Sequence, residues 1–109
     1  MTTKTERIRA LNDALGTKGI GGRILLTAGI AALPDQACQQ VLSAVQAFDA
    51  FTPDNDPLGE HDFAVLTVAG ERIMFKIDYF DRTMTYGSPD AADPQQTTRV
   101  LTIMLVSEY

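Results

Sequence analysis

The 109-residue chain is long enough for one domain with a single apolar core, and 45% of its residues are hydrophobic, which excludes a disordered protein. A formal charge of −5 argues against broad nucleic-acid binding, and the lone Cys38 excludes an internal disulfide. The charge is uneven: five basic and two acidic groups fall in residues 1–33, six acidic and no basic groups in 34–62, and six acidic and four basic groups in 63–109.

The amino-terminal residues Met1–Arg9 carry charge without a following apolar segment. Aliphatic runs such as Ile103–Val106 are far shorter than the ~20 residues that span a bilayer. The expectation is a single cytoplasmic domain over residues 1–109, with no membrane segment and with Cys38 buried in a reducing compartment.

In chain order, Thr3 and Glu6 have the spacing of a capping box, and Ile8, Leu11 and Leu15 form an apolar stripe. They predict a helix over 4–15, stopped by Gly16. Gly19, Gly21 and Gly22 then read as a turn, because a phosphate loop would need a preceding strand and a Gly-Lys-Ser/Thr ending. Arg23–Ala28 reads as a short strand. Leu33-Pro34-Asp35 opens a second helix that ends near Phe51, with Cys38, Val41, Leu42, Val45 and Phe48 on one face.

Phe63–Val68 is β-type, and Ala69-Gly70-Glu71 supplies a hairpin turn. In the return strand, Ile73, Phe75, Ile77 and Tyr79 alternate with Met74, Lys76, Asp78 and Phe80. Asp81-Arg82 reads as a second tight turn into a strand over Thr83–Tyr86. Asp93-Pro94-Gln95-Gln96 combines an N-cap, a first-turn proline and a capping glutamine, predicting a last helix with Val100, Leu101, Met104 and Leu105 on its core face. The predicted fold is α+β in the order α-β-α-β-β-β-α, an antiparallel β-meander packed against helices.

Function should concentrate between Phe51 and Phe63. This stretch holds four acidic residues, two prolines and the single histidine, with no lysine or arginine. Asp54, Asp56 and Gly59 follow the start of an EF-hand loop, but Leu58 and Val65 stand where ligands are required, so a true EF-hand is excluded. Asp54 and Asp56 remain a weak candidate for an improvised divalent site. Glu60, His61 and Asp62 are the acid/base candidates if the chain is an enzyme. No nucleophile elbow accompanies them, and the loop carboxylates can equally cap backbone donors.

A second candidate is the sheet face of Met74, Lys76, Asp78 and Phe80 with nearby Arg82 and Tyr86. Helices on the opposite face would leave it open as a contact surface.

Several runs carry a resemblance: Phe48–Phe63, Lys76–Arg82, Tyr86–Asp90 and Thr98–Leu105. Together they are similar to a bacterial family of small proteins classed as a domain of unknown function and associated with plasmids and other mobile elements. Phe75 departs from it, standing where a tryptophan is expected. The resemblance implies no catalytic residues, and by association alone a host-interaction or anti-defence role.

The expected function is a small non-enzymatic protein-interaction module with a protein partner and no cofactor, a homodimer being one form of that contact. The binding surface would comprise Asp54, Asn55, Asp56, Glu60 and His61 with the sheet-face residues. The alternative is a metal-assisted hydrolase or nuclease-like enzyme centred on Asp54–Asp62.

Overall fold

Thr3 starts the first helix as its spacing predicts: its hydroxyl oxygen accepts the Glu6 backbone N–H at 3.1 Å. The computed structural model describes residues 2–109, with α1 at Lys4–Lys18, β1 at Arg23–Leu26, α2 at Ala28–Ala31 and α3 at Asp35–Ala47. Strands β2 (Phe63–Val68), β3 (Glu71–Phe80) and β4 (Thr98–Leu105) follow, then a 3₁₀ turn at Val106–Glu108. The left-handed stop of α1 is Gly19, at φ 68°, one turn beyond the Gly16 predicted for it. Predicted β1 also yields its end to the short helix α2.

The sheet is mixed, in the order β1-β4-β3-β2. β2, β3 and β4 pair antiparallel, whereas β1 pairs parallel to β4. The β2–β3 turn is the two-residue loop Ala69-Gly70, with φ of 53° and 81°. Positive φ at both positions matches the twist of the flanking strands.

Two predicted elements are corrected. The last helix is instead the central strand β4. Its capping residues do form a turn: Asp93 accepts the Gln95 N–H at 2.9 Å and the Gln96 side-chain amide at 2.8 Å. The β-branched residues Thr97, Thr98, Val100, Thr102 and Ile103 then favour extended chain. A run buried on both sheet faces shows no period of two, so its apolar positions also fit a helix. The predicted Thr83–Tyr86 strand is a loop that returns through a single bridge, Phe80 to Gly87.

Directly paired residues point to the same side of a sheet. Ala64, Ile73, Phe75, Ile77, Leu101 and Ile103 therefore share one side, where they pack with Leu15, Ile30, Val41 and Val45 from the helices. Burying each of these side chains larger than Ala64 stabilises the fold by about 1.5–3 kcal/mol. Cys38 lies at the edge of this core, half-buried rather than buried. Gly22 sets how closely β1 enters beside β4, since a Cβ there would stand 2.7 Å from the Arg99 carbonyl oxygen.

The other side carries Leu25, Val100, Met104, Met74, Phe63 and Val65 around Lys76, Asp78 and Thr102. Met74 was expected to be exposed there, yet it is 3% exposed. It sits in central strand β3 between Val65 and Met104, its cross-strand partners on that side.

Candidate functional site

The segment from Phe48 to Asp62 is ordered by its own polar side chains. Asn55 Oδ1 accepts the Thr52 N–H at 2.8 Å, and the Asn55 amide donates to the Ala50 carbonyl at 3.0 Å. The Asp56 N–H donates to the Thr52 carbonyl at 2.8 Å, and the Gly59 N–H to the Asp56 carbonyl at 3.0 Å. Asp56 is buried, and its carboxylate accepts the His61 N–H at 3.2 and 3.3 Å.

His61 occupies the left-handed region at φ 56°, a conformation costly for a side chain of its size. Its ring stacks on Phe51 with centroids 4.0 Å apart and planes 6° from parallel. Phe51 in turn meets Phe48 and Phe75 edge to face. His61 Nδ1 lies 2.8 Å from Asp13 Oδ1, and Nε2 lies 3.7 Å from Asp56 Oδ2.

One face of α1 clasps this loop. Arg9, Asn12 and Asp13 stand at i, i+3 and i+4, hence side by side on the helix. Arg9 Nε donates to the Gly59 carbonyl at 2.5 Å and Asn12 Nδ2 to the Glu60 carbonyl at 2.9 Å, while Asp13 meets the His61 ring. Below the clasp runs a buried polar chain. Arg99 Nε donates to Asn12 Oδ1 at 2.9 Å, Asn12 Nδ2 to the Tyr79 hydroxyl at 2.7 Å, and Tyr79 to Glu60 Oε1 at 2.8 Å. Arg99 also donates to the Ala91 carbonyl and lies 5.3 Å from the centre of the Tyr79 ring.

Burial lowers the Arg99 pKa, while the nearby Tyr79 and Glu60 oppose that shift. Burial likewise holds the Tyr79 hydroxyl well above its usual range. Asp62 is raised above 3.8, first by burial and then by the neighbouring Glu60, Asp56 and Asp78 carboxylates, against its own backbone hydrogen bond.

The Phe51–His61 stack separates two clefts. One, of about 310 Å³, is lined by Arg9, Thr52, Asp56 and Gly59; the other, of about 190 Å³, by Asp13, Thr17, Phe48 and Asp49. The geometry can orient an imidazole between two carboxylates.

The predicted site residues separate into distinct roles. Asp54 is exposed at the loop tip, while Asp56 turns inward to the His61 backbone. Among the described residues no three His, Cys, Asp or Glu side chains converge as a metal-holding group. The carboxylates facing the His61 ring are Asp13 and Asp56, whereas Glu60 turns to Tyr79. Lys76 and Asp78 form an ion pair, Phe80 is half-buried, and Arg82 and Tyr86 lie exposed on the loop after β3. Arg9, Asn12, Asp13, Tyr79 and Arg99 were not anticipated as site residues. One signal was present: Asn12 stands between Ile8 and Leu15 at helical spacing, a polar residue within the apolar stripe.

Residues 26–108 match the family described as "Protein of unknown function (DUF3768)". The chain belongs to this family. No curated protein and no solved structure matches it. The DUF3768 match takes in the acidic loop and strands β2–β4 and begins after α1, so the clasp joins α1 to the matched segment. Among the described residues, no helix is long and apolar enough to cross a membrane.

Proposed function

We propose that this protein acts by binding another protein through the side of its sheet that the helices leave uncovered. The observation that carries the reading is that Leu25, Phe63 and Val65 are 49%, 38% and 40% exposed on that one side. An antiparallel sheet facing water ordinarily presents polar groups there. Large exposed apolar residues around buried Met74 and Met104, crossed by the Lys76–Asp78 ion pair, have the make-up of an interface core with a polar component. The resemblance to proteins of bacterial plasmids and mobile elements favours a host or plasmid-encoded partner, in host interaction or anti-defence, with a second copy of the chain as the other occupant.

The test is Val65→Glu, compared with wild type by sedimentation and by crosslinking in a bacterial host. Loss of a defined complex with an unchanged circular dichroism spectrum is expected. An unaltered complex, or no complex of either protein, would overturn the reading.

A catalytic reading rests on the 2.8 Å Asp13–His61 contact, whose two side chains line the cleft of about 190 Å³, an arrangement that can orient an imidazole. It ranks second because Nε2, the nitrogen left for a substrate, faces the Asp56 carboxylate. Turnover of a phosphoester or amide substrate that His61→Gln abolishes with the fold intact would reverse this order.

A further inference from the structure

A separate cleft of about 380 Å³ opens where the start of β1 meets the start of β4 and the loop after β3. Its lining includes Gly21, Gly22, Arg23, Arg82, Thr97 and Thr98, and no acidic residue. We propose that it binds the phosphate group of a small phosphomonoester, with Arg23 and Arg82 as its cationic contacts.

The charge balance around the cleft supports this assignment. The chain as a whole is acidic, at −5, so a cleft with arginines and no carboxylate stands apart from its surroundings. The acidic side chains on the neighbouring segments turn to other partners and none lines the cleft, although Asp81 and Asp93 keep their charge because their partners are neutral donors. Asp78 pairs with Lys76, and Asp81 accepts from the Thr83 hydroxyl and the Thr85 N–H. Asp90 faces Lys4 and accepts the Ala92 N–H, while Asp93 holds Gln95 and Gln96. Among the described residues neither Arg23 nor Arg82 forms an ion pair, and the sole hydrogen bond of the Arg82 guanidinium is a 3.4 Å contact to the Pro94 carbonyl. Exposed guanidinium forks without a carboxylate suit a tetrahedral oxyanion, which they meet with two parallel N–H donors.

The backbone of the cleft suits the same ligand. Gly21, at φ 90°, has open space where a Cβ would stand, so a ligand can approach the main chain there. The glycine-rich turn lacks the motif of a nucleotide-triphosphate loop, yet it brings the open backbone of Gly21 beside two arginines. The volume lies within the roughly 300–1,000 Å³ of small-molecule sites, leaving room for an organic group beyond the phosphate.

The experiment is a ¹⁵N–¹H NMR titration of the intact chain with inorganic phosphate, ribose 5-phosphate and ribose, at constant ionic strength set with chloride. Saturable shifts of the Gly21, Gly22, Arg23 and Thr98 amides are expected with both phosphate compounds and not with ribose. Arg23→Gln and Arg82→Gln should each weaken binding about tenfold. Both side chains are exposed, so the variant spectra should otherwise overlay that of wild type. No saturation at millimolar concentrations, equal shifts with ribose, or undiminished binding in the double variant would overturn the proposal. Because Val65→Glu leaves this cleft untouched, its outcome and that of the sheet-face test are separable.

Discussion

Arg99 and Asn12, 87 positions apart in sequence, are joined inside the protein by a 2.9 Å hydrogen bond from Arg99 Nε to Asn12 Oδ1, and each is 1% exposed. A buried guanidinium requires acceptors, and here they come from an amide, a backbone carbonyl and the face of Tyr79 rather than from a direct carboxylate. The bond ties α1 to the central strand, and Asn12 also holds Glu60 and Tyr79. Asn12 thus links α1, the sheet and the acidic loop through one side chain, beside the anchors that Arg9, Asp13 and Tyr79 supply.

Asn12→Ala should therefore cost about 3 kcal/mol in urea unfolding, because it leaves a buried charge and two other polar groups short of partners. Asn12→Leu with Arg99→Met removes both ends of the Arg99 bond, so the double variant should be destabilised by less than the sum of the two single changes. A strictly additive result would show that the two residues do not act as a pair.

His61 should tolerate asparagine better than valine. At φ 56° a β-branched residue is strained, whereas asparagine enters the left-handed region readily. Stability measured by urea should fall by about 2 kcal/mol more for His61→Val than for His61→Asn.

Asp62→Asn should raise the melting temperature near neutral pH. Its folded pKa is raised, mainly by burial, so the ionised carboxylate is less well accommodated folded than unfolded. The penalty is absent below the unfolded value of 3.8 and appears in full above the folded value. Melting curves of the variant and wild type should accordingly converge as the pH falls below about 4.

Glu108 gives the opposite sign. Its carboxylate accepts the Thr27 hydroxyl at 2.6 Å, the Leu105 N–H at 2.9 Å and the Gly29 N–H at 3.0 Å, and these bonds lower its pKa, that from Thr27 first. It contributes stability above the unfolded value of 4.5, and that stability is lost as pH falls through the lower folded value. Glu108→Gln should melt earlier than wild type at pH 7, since an amide offers one acceptor oxygen where two are used. The gap should close in acid.

What the sequence revealed follows the range of the interactions. The β2–β3 hairpin was legible because alternation in Ile73–Phe80 and a Gly-containing turn are local signals. Strand β4 was not, since the apolar positions of Val100–Met104 satisfy a helical face and a doubly buried strand alike. The acidic loop was visible from its composition, but its anchors were not. Arg9 reaches Gly59 across 50 positions and Tyr79 reaches Glu60 across 19, and no spacing rule encodes such pairs.

The sheet side assigned to binding can be divided residue by residue. Met74 and Val65 are cross-strand partners on that side, yet the first is 3% exposed and the second 40%. Met74→Ala should cost about 2 kcal/mol in the isolated chain, the lower end for truncating a buried methionine. Val65→Thr removes little that the monomer buries, so its stability should stay within about 0.5 kcal/mol of wild type. In a complex the order should invert, because a contact residue that is exposed in the free protein gains its burial from the partner. Val65→Thr would then weaken association while leaving the denaturant midpoint in place. A large loss of monomer stability from Val65→Thr would instead place Val65 in the core and remove the surface on which the proposed contact depends.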